Sequence, residues 1–113
     1  MAIENLGFET INLGHGSGGE LTRNLLDKII FKTFSNPFLD KKDDGAIVNF
    51  DGEIAISTDS FVITPIFFKG GNIGELAVHG TVNDVAMCGA IPKYLSLAFI
   101  IEEGLKVSDF IKI

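Results

Sequence analysis

The chain has 113 residues, of which 46% are hydrophobic, and it carries a formal net charge of −6. This length supports one domain with a modest core, and the hydrophobic content excludes disorder along the chain as a whole. A negative net charge without runs of Lys or Arg argues against sequence-independent binding to nucleic acid and against docking on anionic lipid.

The N-terminal part of the chain predicts a glycine-rich loop followed by a helix. Residues 1–13 give weak strand signals, and residues 15–19 (His-Gly-Ser-Gly-Gly) contain too much glycine for regular structure. Ser17 with Glu20 forms a capping-box pattern, and apolar residues then recur at helical spacing. We therefore expect a helix over about residues 18–34, ending before an Asn-Pro breaker pair.

The middle of the chain predicts a β-hairpin. Residues 46–50 predict one strand, Asp51-Gly52 is a two-residue turn signal, and residues 53–58 alternate as a partner strand would. The apolar segment 61–68 contains Pro65, which cannot donate a ladder hydrogen bond, so we expect a loop or an edge segment there.

A second helix is predicted over residues 73–88. Asn72 occupies the capping position, Gly89 lies at the C-cap and a proline follows, which is the usual order of stop signals. Residues 93–102 then predict a long strand, and Ser108 begins a third helix. Because a helix cut after about one turn is not stable alone, we expect the chain to be a truncated domain of a longer protein.

The compartment signals favour the cytoplasm. No apolar run approaches the ~20 residues that a membrane helix needs, and no basic patch followed by an apolar stretch opens the chain. The single cysteine, Cys88, cannot form an internal disulfide, and we expect it to be a small core residue. With histidines only at positions 15 and 79, the sequence does not favour a zinc site.

Acidic and amide-bearing residues lie at the edges of several apolar segments. Carboxylates that converge in space repel one another, and a fold keeps them together when a cation, usually Mg²⁺ carrying phosphates, lies among them. We therefore predict a nucleotide-phosphate site. Its candidate residues are Asp43, Asp44, Asp59, Gly70, Gly71, Asn83 and Asp84.

Each acidic candidate also has a simpler interpretation. Asp43-Asp44 can be a solvated loop, and Asp59 can form a turn with its own backbone. The Asn83-Asp84 pair, if buried on its helix, can belong to an internal hydrogen-bond network. Gly80 shares the helix face of this pair and permits the close approach of a backbone or a ligand.

The glycine-rich opening has two interpretations as well. At the start of a helix, the backbone N–H groups of residues 16–19 can cradle phosphate, although the Lys-Ser/Thr pair of a Walker A loop is missing. The alternative is a flexible loop with an ordinary cap. Lys69 and the phenylalanines before it can form a mobile lid or a hydrophobic anchor. The glycine-rich candidates are Gly16, Ser17, Gly18 and Gly19.

Several motifs of the chain occur together in one known family. They are His15-Gly16-Ser17-Gly18-Gly19, Ser57-Thr58-Asp59-Ser60, Gly70-Gly71-Asn72-Ile73-Gly74, Gly80-Thr81-Val82-Asn83-Asp84 and Glu102-Glu103-Gly104. With these motifs the chain resembles the N-terminal domain of the HypE family of hydrogenase maturation proteins, within the aminoimidazole ribonucleotide (AIR) synthase superfamily. The Asp and Asn-Asp elements are shared across the superfamily, whereas the glycine-rich opening combined with Glu-Glu-Gly is more specific to the family.

The resemblance implies an α+β fold of the PurM N-terminal type. Its mixed sheet of about four strands carries helices on one face and dimerises through its sheets into a barrel with nucleotide sites near the interface. Residues 1–113 would be this domain, without the C-terminal domain and the terminal cysteine of the family. The implied partners are a second copy of the chain, HypF as carbamoyl donor and the HypC–HypD complex as cyanide acceptor.

The resemblance also implies a chemistry. ATP phosphorylates the oxygen of a carbamoyl group carried on the family's C-terminal cysteine, and loss of phosphate leaves the thiocyanate that supplies the cyanide ligands of nickel–iron hydrogenase. Phosphate is the better leaving group, and Mg²⁺ held by carboxylates offsets the charge of the triphosphate. By resemblance, Asn83 hydrogen-bonds phosphate and the glycine-rich opening folds over the nucleotide. The implied Mg²⁺ ligands are Asp43, Asp44, Asp59 and Asp84.

The chain departs from the family at two positions, and two alternatives stay open. Gly45 stands where many members carry Ala, and Lys69 stands where Pro is expected. One alternative is another ATP enzyme of the superfamily, a thiamine-monophosphate kinase or a selenophosphate synthetase, although Ser17 does not supply the reactive thiol or selenol of the latter. The other is a dimerisation module without nucleotide binding. The 113 residues alone are not expected to complete the reaction.

Overall fold

The computed structural model describes residues 6–113 of the protein. Within them, the chain forms two compact units. Unit 1 contains the described residues through Asn49 together with Phe99–Lys112, and unit 2 contains Phe50–Ala98 and Ile113. Among the residues that the structure describes, no helix is both long enough and apolar enough to cross a membrane.

The glycine-rich opening of unit 1 contains a short 3₁₀ helix, Leu13–Gly16. The side-chain oxygen of Asn12 accepts a hydrogen bond from the Gly14 N–H at 2.9 Å, and the Asn12 N–H donates to His15 Nδ1 at 3.0 Å. These reciprocal bonds form a capping box, which satisfies N–H groups that the first turn leaves without intrahelical acceptors. The opening is therefore an organised turn.

The predicted capping box of Ser17 and Glu20 is wrong. Ser17 is the C-cap of the 3₁₀ helix, and its hydroxyl donates to the Gly14 carbonyl at 2.8 Å. Gly18 then has φ of +82°, a left-handed conformation that side-chain-bearing residues rarely adopt, and it turns the chain before the next helix. That helix consequently has Gly19 as its N-cap, with no side-chain cap bond.

The first predicted helix is present and ends before the Asn-Pro pair, as expected. It consists of α1, Glu20–Leu25, a π-helical turn, Leu26–Ile30, and α2, Phe31–Thr33. Leu25 and Ile29 lie four residues apart, so they share one face of the helix, and both are buried. The apolar spacing in the sequence thus predicted which face enters the core.

The core of unit 1 joins this helix to the C-terminal part of the chain. The third predicted helix is confirmed as α4, Val107–Lys112. The Ile11 N–H donates to the Leu105 carbonyl and the Gly104 N–H donates to the Ile11 carbonyl, both at 2.8 Å. The weak strand signal over residues 1–13 lies partly outside the described residues, and its described part forms only an isolated β-bridge. The buried core residues are Ile11, Leu25, Ile29, Val107 and Phe110.

Unit 2 contains a short antiparallel hairpin. Its strands are β1, Phe67–Phe68, and β2, Gly71–Asn72. Gly70 in the connecting turn has φ of +97°, where glycine avoids the strain that a side chain would cause. The expectation of a loop or an edge segment over residues 61–68 is confirmed, since only the last two of these residues pair.

The long helix of unit 2 is α3, Ile73–Met87, close to its predicted bounds. The side chain of Asn72 accepts a hydrogen bond from the Glu75 N–H at 3.0 Å, which confirms the predicted cap. At the other end, Gly89 has φ of +76°, and it and the residue after it donate backbone hydrogen bonds to the last turn in a Schellman motif. Local signals determined both ends.

Three predicted strands are absent. Residues 46–50, 53–58 and 93–102 form no paired strand, so the predicted hairpin at Asp51-Gly52 is wrong for this chain. Their apolar side chains are strongly exposed, with Ile56 81% accessible. Alternating apolar residues favour extended backbone, but a strand also needs a neighbour to accept and donate its hydrogen bonds. The described residues show helices and a two-stranded sheet, in agreement with the α+β class.

Candidate functional site

One polar contact in unit 2 joins two of the predicted site motifs. The hydroxyl of Ser57 donates a hydrogen bond to Asp84 Oδ2 on α3 at 3.3 Å. Four residues earlier on the helix, the ring of Phe61 lies so close to Gly80 that a Cβ there would be 2.6 Å from its Cζ atom. Residues 57–61 are thus attached to one turn of α3 at two points. Asp59 lies between these attachments.

Asp59 and Asp84 each keep one carboxylate oxygen for a ligand. Asp59 Oδ1 accepts a hydrogen bond from the N–H of the next residue, Ser60, at 2.8 Å, and the backbone there forms no turn. Ser57 occupies Asp84 Oδ2, and among residues 6–113 no hydrogen bond reaches the second oxygen of either carboxylate. Both side chains are exposed. A cation or a phosphate-bound water could therefore reach them.

The Asn83-Asp84 pair does not meet the condition of burial that an internal hydrogen-bond network would require. Both residues are exposed, and no residue of α3 is buried. The interpretation as a buried internal hydrogen-bond network therefore does not apply to these two side chains. The prediction that Gly80 permits a close approach is confirmed, and the group that approaches is the Phe61 ring.

Gly70 and Gly71 lie directly before the N-terminus of α3. The Ile73 N–H donates to the Ile66 carbonyl at 2.9 Å, which ties the first residue of the helix to the segment before the hairpin. A Cβ on Gly71 would lie 2.6 Å from Glu75 Oε2, the end of a flexible side chain that can move aside. The structure therefore gives only Gly70, with its positive φ, a conformational role.

The other predicted site residues belong to unit 1. Asp43 and Asp44 are exposed and follow Lys42, whose ammonium group lies 2.6 Å from Asp27 Oδ1. Within residues 6–113, no three His, Cys, Asp or Glu side chains are grouped to hold a metal ion. The four-carboxylate Mg²⁺ set therefore stays a prediction.

The glycine-rich segment 16–19 is held by bonds of its own. Besides the Ser17 hydroxyl, the Gly18 N–H is engaged, and it donates to Thr22 Oγ1 at 2.9 Å. His15 is only 3% exposed, and its ring lies 4.5 Å, centroid to centroid, from that of Phe8. His15 Nε2 is buried without a partner in the described part of the chain. The interpretation as a flexible loop does not describe this arrangement.

Sequence reasoning missed two features of the candidate site region. It did not identify Ser57 as the partner of Asp84, although Ser57 lies within a motif that carries the family resemblance. It also placed Cys88 in the core, whereas Cys88 is exposed at the C-cap of α3. A helix with no buried face leaves its C-terminal residue in solvent, and the local apolar context of Cys88 could not reveal this.

Comparisons with known proteins identify the family of this chain. The sequence profile of the family "AIR synthase related protein, N-terminal domain" matches residues 42–112. Carbamoyl dehydratase HypE of Escherichia coli K12 is 50% identical over 104 residues, covering 87% of this chain and 31% of that protein. Its namesake in Rhizobium leguminosarum bv. viciae is 47% identical, covering 91% of this chain and 30% of that protein.

A solved structure is also similar to this chain. The crystal structure of hydrogenase maturation protein HypE in complex with ATP shares 49% identity with this chain and superposes with a TM-score of 0.65. The match covers 68% of this chain and 23% of the solved one. The chain spans less than a third of the length of the curated relatives described above.

Proposed function

Because this chain belongs to the AIR synthase related protein N-terminal domain family, we propose that it is the MgATP-binding and dimerisation domain of a HypE-like carbamoyl dehydratase. The observation that carries the proposal is the hydrogen bond from Ser57 to Asp84. It attaches the segment with Asp59 to the helix with Asn83 and Asp84. The superposable relative that was solved with ATP supports nucleotide as the ligand.

The residues of unit 2 suit a magnesium-bound phosphate better than a metal alone. Mg²⁺ keeps several waters and is commonly held by one or two carboxylates together with substrate phosphates, so a cage of three or more protein ligands is not required. Asp59 and Asp84 each offer one free oxygen. Asn83, exposed beside Asp84, would donate its amide N–H to a phosphate oxygen. Bound Mg²⁺ would offset the triphosphate charge.

The family resemblance also implies nucleotide-binding roles for the remaining predicted residues. The glycine-rich segment 16–19 would lie along the phosphates, with the N–H groups of Ser17 and Gly18 keeping their bonds inside the segment. Gly70-Gly71 would let the nucleotide approach the start of α3. Asp43-Asp44 would add carboxylates for Mg²⁺ in the assembled protein. In the reaction that we propose, ATP phosphorylates a carbamoyl oxygen on a cysteine thiol, and release of phosphate leaves a thiocyanate.

We also propose which proteins act before and after this one. HypF would load the carbamoyl group, the HypC–HypD complex would accept the cyanide, and the product would serve the iron of a nickel–iron hydrogenase. The 113 residues alone would bind nucleotide without completing the dehydration. We propose that the reacting thiol is the C-terminal cysteine of the family and not Cys88.

Calorimetry with the 113-residue chain tests nucleotide binding. We expect MgATP to bind with saturable heat, and we expect the heat to disappear when EDTA removes Mg²⁺. AMP is the control, because it lacks the two outer phosphates that Mg²⁺ and the carboxylates would hold. A chain that is folded by circular dichroism yet shows no heat with MgATP would contradict the proposal.

A second copy of the chain would cover the exposed apolar segments. Ile47, Ile56 and Val62 are 86%, 81% and 95% exposed. Exposing several large hydrophobic side chains in one segment to water is unfavourable in free energy. Pairing with another copy would cover such side chains and supply the neighbours that the predicted strands lack. We therefore propose a homodimer formed through residues 46–64.

Sedimentation velocity at micromolar concentration tests the dimer. We expect the chain to sediment as a dimer and Ile56→Lys to sediment as a monomer, because a buried ammonium group would lack a partner at the interface. Thr33→Lys adds the same charge at an exposed polar position outside residues 46–64 and should leave the dimer intact. A monomeric unsubstituted chain would refute the interface.

A further inference from the structure

Two sequence motifs that are distant along the chain meet in unit 1. Glu103, in the Glu-Glu-Gly motif, accepts a hydrogen bond through Oε2 from the Leu13 N–H at 2.9 Å. Leu13 begins the 3₁₀ helix that leads into the glycine-rich segment. The next residue, Gly104, donates its N–H to the Ile11 carbonyl. The Glu-Glu-Gly motif therefore binds the backbone directly before the glycine-rich segment.

The contact completes the cap of the 3₁₀ helix. The first N–H groups of a helix lack intrahelical acceptors. The Asn12 side chain accepts from Gly14, and Glu103 accepts from Leu13, so both of these groups are satisfied. A carboxylate acceptor makes a stronger bond with an N–H group than a neutral one does. Glu103 therefore fixes the orientation of the 3₁₀ helix, and with it the direction of the backbone at residues 16–19.

The bond at Leu13 affects the residues that follow because glycine has a large conformational entropy when it is not ordered. Residues 16–19 include three glycines, and each loses more backbone freedom on ordering than any other residue type. A segment that is ordered before it meets a ligand avoids paying that entropy during binding. A bond at Leu13 can thus affect phosphate binding without touching the phosphate.

We infer that Glu103 is a positioning residue for nucleotide binding, which orders the glycine-rich segment by anchoring the Leu13 N–H. The inference rests on the proposed binding of MgATP. Its neighbour Glu102 provides a matched control, since its backbone carbonyl accepts from the Leu105 N–H while its side chain makes no hydrogen bond within residues 6–113. Alanine at either position removes one negative charge from the same turn.

The experiment compares Glu103→Ala, Glu103→Gln and Glu102→Ala in the 113-residue chain. Amide hydrogen exchange of residues 13–19 reports the ordering, and calorimetry reports the MgATP dissociation constant. We expect Glu103→Ala to accelerate exchange and to weaken MgATP binding by about tenfold, the effect of losing one charge-assisted hydrogen bond. Glu103→Gln should restore part of both, because its neutral carboxamide oxygen can still accept from Leu13 but makes a weaker bond than the carboxylate. Glu102→Ala should change neither.

The outcomes separate this inference from the proposed function. Unchanged exchange in Glu103→Ala overturns the positioning role whether or not ATP binds. Faster exchange with unaltered MgATP affinity also overturns it, since the segment would then be ordered for another purpose. If the unsubstituted chain fails to bind MgATP, both proposals fail for nucleotide, while the exchange data still decide whether Glu103 orders the segment. Equal losses in Glu102→Ala would assign the effect to net charge and refute the inference.

Discussion

We expect Asp84→Asn to abolish MgATP binding by this chain while leaving its fold intact. The substitution keeps the size of the side chain and an oxygen that can accept the Ser57 hydroxyl, which now bonds to Asp84 Oδ2 at 3.3 Å. It removes the negative charge that would hold Mg²⁺. The expected loss of affinity is at least about a hundredfold, or about 2.7 kcal/mol.

Three measurements check this result. Calorimetry gives the affinity for MgATP, and urea unfolding gives the free energy of unfolding, which we expect to stay within about 0.5 kcal/mol of the original, as for an exposed substitution. In a protein with the full length of the relatives, the same change should abolish ATP turnover. Asp51→Asn is the control, since it removes one charge from an exposed position of the same unit. Unchanged turnover in Asp84→Asn would remove Asp84 from the site.

The second large effect is expected from Gly80→Val. A Cβ at position 80 would lie 2.6 Å from Phe61 Cζ and 3.0 Å from Cε1, closer than the ~3.5 Å at which carbon atoms pack. Valine has a better helix propensity than glycine by a few tenths of a kcal/mol, whereas overpacking costs about 1–3 kcal/mol. The clash therefore outweighs the propensity, and the ring has to leave the helix.

Losing the Phe61 contact should disturb the candidate site as a whole. Of the two attachments described above, residues 57–61 would keep only the Ser57–Asp84 bond, so the position of Asp59 relative to α3 would be less restricted. We expect Gly80→Val to lower the free energy of unfolding by about 1–3 kcal/mol and to weaken MgATP binding by more than about tenfold. Urea unfolding and calorimetry measure the two effects.

Two variants isolate the cause of the Gly80→Val effect. Ala86→Val places valine at an exposed position of the same helix, and it should cost only the few tenths of a kcal/mol of helix propensity. In a double-mutant cycle, Phe61→Ala should remove most of the additional destabilisation by Gly80→Val, because the clash requires both side chains. Additive effects of the two substitutions would show that Phe61 does not limit the size of residue 80.

The sequence predicted the candidate site residues of unit 2, but not the contacts that join their segments. Asp59, Asn83 and Asp84 were predicted from their position beside apolar segments and from the family motifs. Their attachment depends on Ser57 and Phe61, which are separated along the chain from the residues of α3 that they touch. The internal bonds of residues 14–22 were missed as well, since the Ser17-Glu20 pattern matched a capping box that the left-handed Gly18 excludes.

The sequence alone determined both ends of α3 and the core-facing residues of the first helix. A helix makes its hydrogen bonds within its own segment, so the caps at Asn72 and Gly89 and the apolar spacing of α1 carry sufficient information. Only the tertiary structure decided strand pairing and the side-chain contacts between residues that are distant along the chain. Strands need a partner elsewhere, and residues 46–58 found none in these units. Ser57 and Asp84 lie 27 positions apart, and Leu13 and Glu103 lie 90 apart, so folding alone brings each pair into contact.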